Sequence, residues 1–153
     1  MISVAGVSHS FDARPVLSDI SFEVAAGEIA VIMGSSGGGK TTLLKCLSGL
    51  LRPETGTIKV AGVDVVHQPE EARTKMGLVF QYAALFDSLN VRDNILFGLE
   101  YDESKYRAAI HACALELDLE ILPGGDAAVA GERGINLSGG QRQRVCLARA
   151  AYH

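Results

Sequence analysis

Residues 34–41, Gly-Ser-Ser-Gly-Gly-Gly-Lys-Thr, constrain the fold of this chain more than any other stretch. They match the spacing G-x-x-x-x-G-K-[ST] in full. The run before them, Glu28-Ile-Ala-Val-Ile-Met33, is short, nearly continuous and apolar, which predicts a buried parallel strand. After them, Leu43, Leu44, Leu47 and Leu50 repeat at helical spacing, which predicts a helix from Lys40 that ends near Gly49, with Pro53 just beyond. Strand, glycine turn and helix in that order make a phosphate cradle. Residues without side chains let consecutive backbone N–H groups converge on phosphate oxygens, and the helix start adds partial positive charge at the same place. Lys40 brings a mobile cation for β- and γ-phosphates, and Thr41 a hydroxyl for Mg²⁺. Gly34, Ser35, Ser36, Gly37, Gly38, Gly39, Lys40, Thr41 and Thr42 are therefore the candidate nucleotide-binding residues.

Composition narrows the rest. A chain of 153 residues, 48% apolar and 21% charged, is sized for one globular domain with a real core. The net charge of −4 gives no electrostatic reason to expect nucleic acid. No apolar run approaches the ~18 residues of a membrane span, and the N-terminus has no signal-peptide pattern. The three cysteines lie far apart in apolar helical contexts and read as reduced core residues, which makes a cytoplasmic location the default.

Along the chain, residues 1–33 read as strands with a polar break at Phe11 to Pro15. Thr57–Val60 and Val63–Val66 read as a hairpin about Ala61-Gly62, with Asp64 a turn residue. Met76–Phe80 reads as a second apolar strand ending at Gln81. Glu103–Leu117 reads as one amphipathic helix with Tyr106, Ala109, Ile110, Cys113, Ala114 and Leu117 on its apolar face. A glycine-punctuated loop over Ala130 to Gly134 leads to a final helix from about Ser138 to Tyr152. The chain thus divides into a β-rich part with the phosphate loop, residues 1–86, and a helical part, residues 87–153.

The last helix opens with Leu137-Ser-Gly-Gly-Gln141. Ser138 as N-cap and Gln141 three residues on form a capping box. Gly139 and Gly140 are poor helix formers, costing about 1 kcal/mol each relative to Ala. A helix needing only a cap would not choose them, but they let an anion approach the bare helix terminus. The chain therefore carries two phosphate-binding devices roughly a hundred residues apart.

With both motifs in hand, the chain resembles the nucleotide-binding domain of ATP-binding-cassette (ABC) transporters over essentially its whole length. Residues 34–41 resemble the family's Walker A loop, and Leu137–Gln141 its LSGGQ signature. The resemblance implies an α/β fold: a P-loop NTPase (RecA-like) core, an N-terminal antiparallel β subdomain and a helical signature subdomain. It implies ATP and Mg²⁺ as ligands. It also implies a head-to-tail pair of domains, in which Ser138, Gly139, Gly140 and Gln141 serve an ATP held by the other copy. Phe11 sits where the family stacks an aromatic on adenine; an ordinary strand-end core ring is the alternative. Gln81 resembles the Q-loop glutamine that touches Mg²⁺ or the attacking water; a surface polar residue is the alternative. Residues 82–89 would face transmembrane subunits, placing the domain on the cytoplasmic side of a membrane without spanning it.

Two departures stand out. Residues 76–94 resemble bacterial import or lipid-trafficking cassettes, whereas residues 93–152 resemble the exporter-like multidrug-resistance-associated subfamily. This is the pattern of a recombinant or designed mosaic. The family's Walker B Asp and Glu and its switch His have no counterpart, since His153 comes twelve residues after Gln141 and Glu132 is the last acidic residue. The expectation is a domain incomplete at its C-terminus that binds ATP with little or no hydrolysis by itself. A non-hydrolysing nucleotide-binding module is the second reading. A P-loop GTPase is disfavoured by LSGGQ and by the lack of an Asn-Lys-x-Asp motif.

Overall fold

The computed structural model describes residues 1–131 and 137–153, and its contacts divide into two compact units, residues 1–76 and 77–153. The loop expected at residues 130–134 lies mostly outside the described residues.

The first unit is built on a four-stranded antiparallel sheet in the order β2-β1-β3-β4. Strands β1 (Ile2–Phe11) and β2 (Arg14–Val24) form a hairpin whose two turn residues, Asp12 and Ala13, both have positive φ (48° and 63°). That left-handed pair matches the twist of the strands it joins. β3 (Thr55–Val60) pairs with β1, and the short β4 (Val63–Asp64) closes the hairpin expected about Ala61-Gly62. Asp64 is the turn residue its sequence context suggests, since its Oδ1 accepts from the N–H groups of Val66 (2.8 Å) and His67 (3.0 Å). Helix α1 (Lys40–Leu47) packs Leu43 and Cys46 against Val4, Val7, Leu17 and Ile58. It ends as expected at Gly49, with φ +67° and its N–H donating to the carbonyl of Cys46. Helix α2 (Pro69–Arg73) completes the unit.

One expectation is overturned here. Residues 28–33 form no strand, and Ile29, Val31 and Met33 are 90%, 75% and 86% exposed. Met76–Phe80 likewise forms no strand and leaves Leu78 and Phe80 exposed. A continuous apolar run becomes a buried strand only where neighbours pair on both of its edges and cover both faces. Among the described residues, every ladder belongs to the antiparallel sheet or to an isolated Asn90–Val129 bridge, and neither run has a partner. The apolar pattern was real; the partners that would convert it to a strand are not among these residues.

The second unit is helical: α3 (Val91–Leu96), α4 (Glu103–Ala112), α5 (Glu116–Ile121), a 3₁₀ turn at Gly125–Ala127, and α6 (Gly139–Tyr152). Its core joins Val91, Ile95, Tyr106, Ile110, Leu115, Val145 and Tyr152. The single helix expected over Glu103–Leu117 is instead two. Ala114 takes φ +51°, and the chain turns so that Leu115 is buried while Leu117 is 74% exposed. In a continuous helix Leu115 would face away from Tyr106, so burying both in one core takes the turn at Ala114. The fold is mixed α/β as expected, with the antiparallel β part and the helical part both present.

Candidate functional site

The phosphate loop follows the unpaired run 28–33 and ends in α1. Gly38 donates to the Ser35 carbonyl (3.1 Å), which tightens the loop, and Leu43 donates to the Gly39 carbonyl (2.8 Å), which starts the helix. Gly39 is the N-cap at φ +79° and is buried. A Cβ there would lie 2.7 Å from the Val16 carbonyl oxygen and 3.1 Å from the Leu17 side chain, so strain and space both demand glycine. The Lys40 ammonium folds back over the loop, donating to the carbonyls of Gly34 (2.9 Å) and Ser35 (2.6 Å). An ammonium carries three N–H donors, so one is left to direct elsewhere. The Thr41 side chain is exposed on the first turn of α1, and Thr42 is half-buried.

Phe11 stands at the last position of β1, 48% exposed, opposite Arg14. The ring of His9 meets it edge-on at 4.7 Å and 79°, so Phe11 is held from one side while its other surface stays open. Gln81 is exposed in a bend of the second unit.

The signature motif begins α6. Ser138 Oγ accepts from the Gln141 N–H (3.2 Å), and Gln141 Oε1 accepts from the Ser138 N–H (2.8 Å), so the capping box is complete. Leu137 is buried and Gly139 and Gly140 are exposed. A Cβ on Gly139 would meet nothing within 4 Å, which leaves the helix terminus accessible.

Two polar networks near these motifs gave no sequence signal. Asp118 of α5, 8% exposed, receives a fork from Arg144 of α6: Nε to Oδ2 at 2.6 Å and Nη2 to Oδ1 at 2.9 Å. The Arg144 hydrogen bonds hold the Asp118 carboxyl below the ordinary carboxylate range and raise Arg144 in turn. Asn94 of α3 is fully buried. Its Nδ2 donates to the carbonyls of Phe86, Leu89 and Asn90, and its Oδ1 accepts from the Phe86 N–H (2.9 Å). Arg149 binds the Asn94 side chain and carbonyl and the Ala84 carbonyl, and lies over the stacked rings of Phe86 and Phe97. Burial lowers the Arg149 pKa from its usual value. Some Asn94 partners lie four to eight residues away, but the ties to α6 span 26 to 65 residues, too far for any local pattern to record.

A glycine cradle closed by a lysine at a helix start, with a second glycine helix start elsewhere in the chain, defines a nucleotide-binding domain of the phosphate-loop class. The profile of the family described as ABC transporter matches residues 17–153, and the chain belongs to that family as an ATP-binding domain. It is 40% identical over 150 residues to the mouse ATP-binding cassette sub-family C member 2, covering 98% of this chain and 9% of that protein. It is 41% identical over 140 residues to ABC transporter C family member 8 of Dictyostelium discoideum, covering 92% of this chain and 8% of that one. Among solved structures it is similar to a bacterial Atm1-family ABC exporter with ATP bound. The TM-score is 0.86 at 34% identity, over 99% of this chain and 27% of that one. The chain thus spans less than a tenth of its curated relatives. The sub-family C likeness extends over both halves of the sequence, including residues 90–98, where the two earlier resemblances meet. No helix among the described residues is long and apolar enough to cross a membrane.

Proposed function

We propose that this chain binds Mg-ATP through its phosphate loop and engages a second nucleotide through its signature motif, as one half of a head-to-tail pair that energises a transporter. The observation that carries the reading is the loop itself. Lys40 is folded over the carbonyls of Gly34 and Ser35 at the start of α1, and Gly39 is held where no other residue fits. Backbone amides of residues 34–39 and the α1 terminus would hold the phosphates, and Lys40 would trade loop carbonyls for phosphate oxygens. Phe11 offers one open ring surface to adenine. Thr41 and Gln81 are each exposed, and each bears a neutral oxygen donor of the hard kind Mg²⁺ takes, which makes each a proposed ligand. When bound, Mg²⁺ would neutralise charge on the terminal phosphates.

The partners follow from the same reading: transmembrane subunits meeting residues 82–89, and a second nucleotide-binding domain meeting Ser138–Gln141. The domain would lie on the cytoplasmic face of the membrane. Residues 1–153 by themselves are proposed to hold ATP with little turnover. Titration with a fluorescent ATP analogue tests the binding step. Saturable, Mg²⁺-dependent binding that Lys40→Ala and Gly39→Val both abolish is the expected result. Binding that survives both substitutions would remove the phosphate loop from the site.

A further inference from the structure

The second phosphate device depends on one carboxylate from another helix. Asp118 of α5 takes the Arg144 fork and also accepts from Gln141 Nε2 at 3.3 Å. Gln141 is the residue whose other end, Oε1, accepts from the Ser138 N–H. A side-chain amide has a donor end and an acceptor end, while an ionised carboxylate only accepts. Asp118 therefore fixes which way the Gln141 amide faces. With its NH₂ on the carboxylate, its oxygen must point at Ser138 and the capping box can close. Turned the other way, the NH₂ would face the Ser138 N–H, donor against donor. Arg144 is held in the same grip, and its Nη1 lies 3.4 Å from where a Cβ of Gly140 would stand. One carboxylate thus sets Ser138, Gly140 and Gln141 at once.

We propose that Asp118 is a positioning residue for the signature motif, fixing the Ser138–Gln141 turn in the conformation that receives the phosphates of an ATP held by a second domain. The proposal rests on the pairing reading above. Asp118 does not touch nucleotide; it acts through Gln141 and Arg144. The isosteric Asp118→Asn replaces an acceptor by a donor facing the guanidinium, and Arg144→Lys keeps the charge but loses the fork.

The experiment is done on the chain assembled into the proposed transporter pair, with an azido-ATP photoprobe. Direct labelling reads the phosphate loop, and vanadate-trapped labelling reads the closed, signature-engaged site. Asp118→Asn should leave direct labelling and the KM for ATP near the parent values and lower trapping and kcat roughly tenfold. Arg144→Lys, at a half-buried position and with the charge kept, should lower trapping in the same direction and is the second variant should Asp118→Asn fail to fold. Asp118→Glu should recover part of the loss. Gly139→Asp serves as the control on the reading, because it places an acid in the open space at the helix terminus. If Gly139→Asp traps like the parent, the pairing reading fails and the proposal falls with it. If Gly139→Asp abolishes trapping while Asp118→Asn or Arg144→Lys traps like the parent, the reading stands and the proposal alone is overturned. Equal losses in direct labelling and trapping on Asp118→Asn would mark a merely structural role and also overturn it.

Discussion

In residues 1–76 the long-range order runs along strand ladders, with β1 paired to β2 on one side and β3 on the other. In residues 77–153 it runs through a handful of side chains. Asn94 and Arg149 tie residues 84–94 to α6, Asp118 ties α5 to α6, and the Tyr152 hydroxyl accepts from the Asp102 N–H at 2.9 Å. The two phosphate devices inherit this difference. The phosphate loop is shaped by its own backbone, with Gly39 wedged under the Val16 carbonyl. The signature turn is shaped from outside, by Asp118 through Gln141. A motif built from backbone conformation can be read from consecutive residues. One oriented by a distant carboxylate is only half visible in its own sequence.

Substitutions can break this comparison. The largest effect is expected from Gly39→Ala, which combines a left-handed φ with a methyl at 2.7 Å from a backbone oxygen. We predict a loss of about 3 kcal/mol or more in stability together with loss of nucleotide binding, read by thermal unfolding and analogue titration. Binding at the parent level in Gly39→Ala would show that the loop is not set by its backbone.

Asn94→Ala should come next. It strips a buried side chain from acceptors and donors on three loop residues and from Arg149, and should cost about 2–3 kcal/mol. Urea unfolding followed by hydrogen exchange should place the loss in residues 77–153 and spare β1–β3. Protection lost equally in both units would erase the distinction drawn here.

Ser138→Ala removes one half of the capping box and should cost about 1 kcal/mol, with faster amide exchange at Gln141 and no change at Leu43. An unchanged rate at Gln141 would mean that the Asp118 grip suffices without the cap.

The smallest effect is expected from mild acid. The folded Asp118 pKa is below its unfolded value of about 3.9. Its contribution to stability is therefore complete above that unfolded value and is lost only as pH falls through the lower folded value. Between neutral pH and pH ~5 the Arg144 Nε–H resonance should not move. A shift centred above pH ~4 would contradict an ionised, arginine-held Asp118.

Much of the fold was legible from periodicity and punctuation. The polar break over Phe11 to Pro15 (narrowed by the structure to Asp12 and Ala13), the stop of α1 at Gly49, the Ala61-Gly62 turn and the capped start of α6 all depend on neighbours within a few residues. The apolar runs 28–33 and 76–80 form no strand, because hydrophobicity states a need for burial and not the presence of a pairing partner. The break at Ala114 was missed because the helical stripe continues through it, while Leu115 is claimed by a core assembled from α3, α4 and α6.

For the site, consecutive residues are enough to read the chemistry: which residues carry hydroxyl, ammonium and amide groups, and which positions have no side chain to obstruct an anion. They also determine the local shape wherever a turn or cap is decided by adjacent residues. Packing in three dimensions brings Asp118 to Arg144 and Gln141, joins Asn94 and Arg149 in one buried network, and sets the His9 ring edge-on to Phe11. These depend on where separate helices and strands come to rest. Charge pairing and amide orientation act over about 3 Å in space, and a chain has no local means of writing down which distant residue will fill that distance.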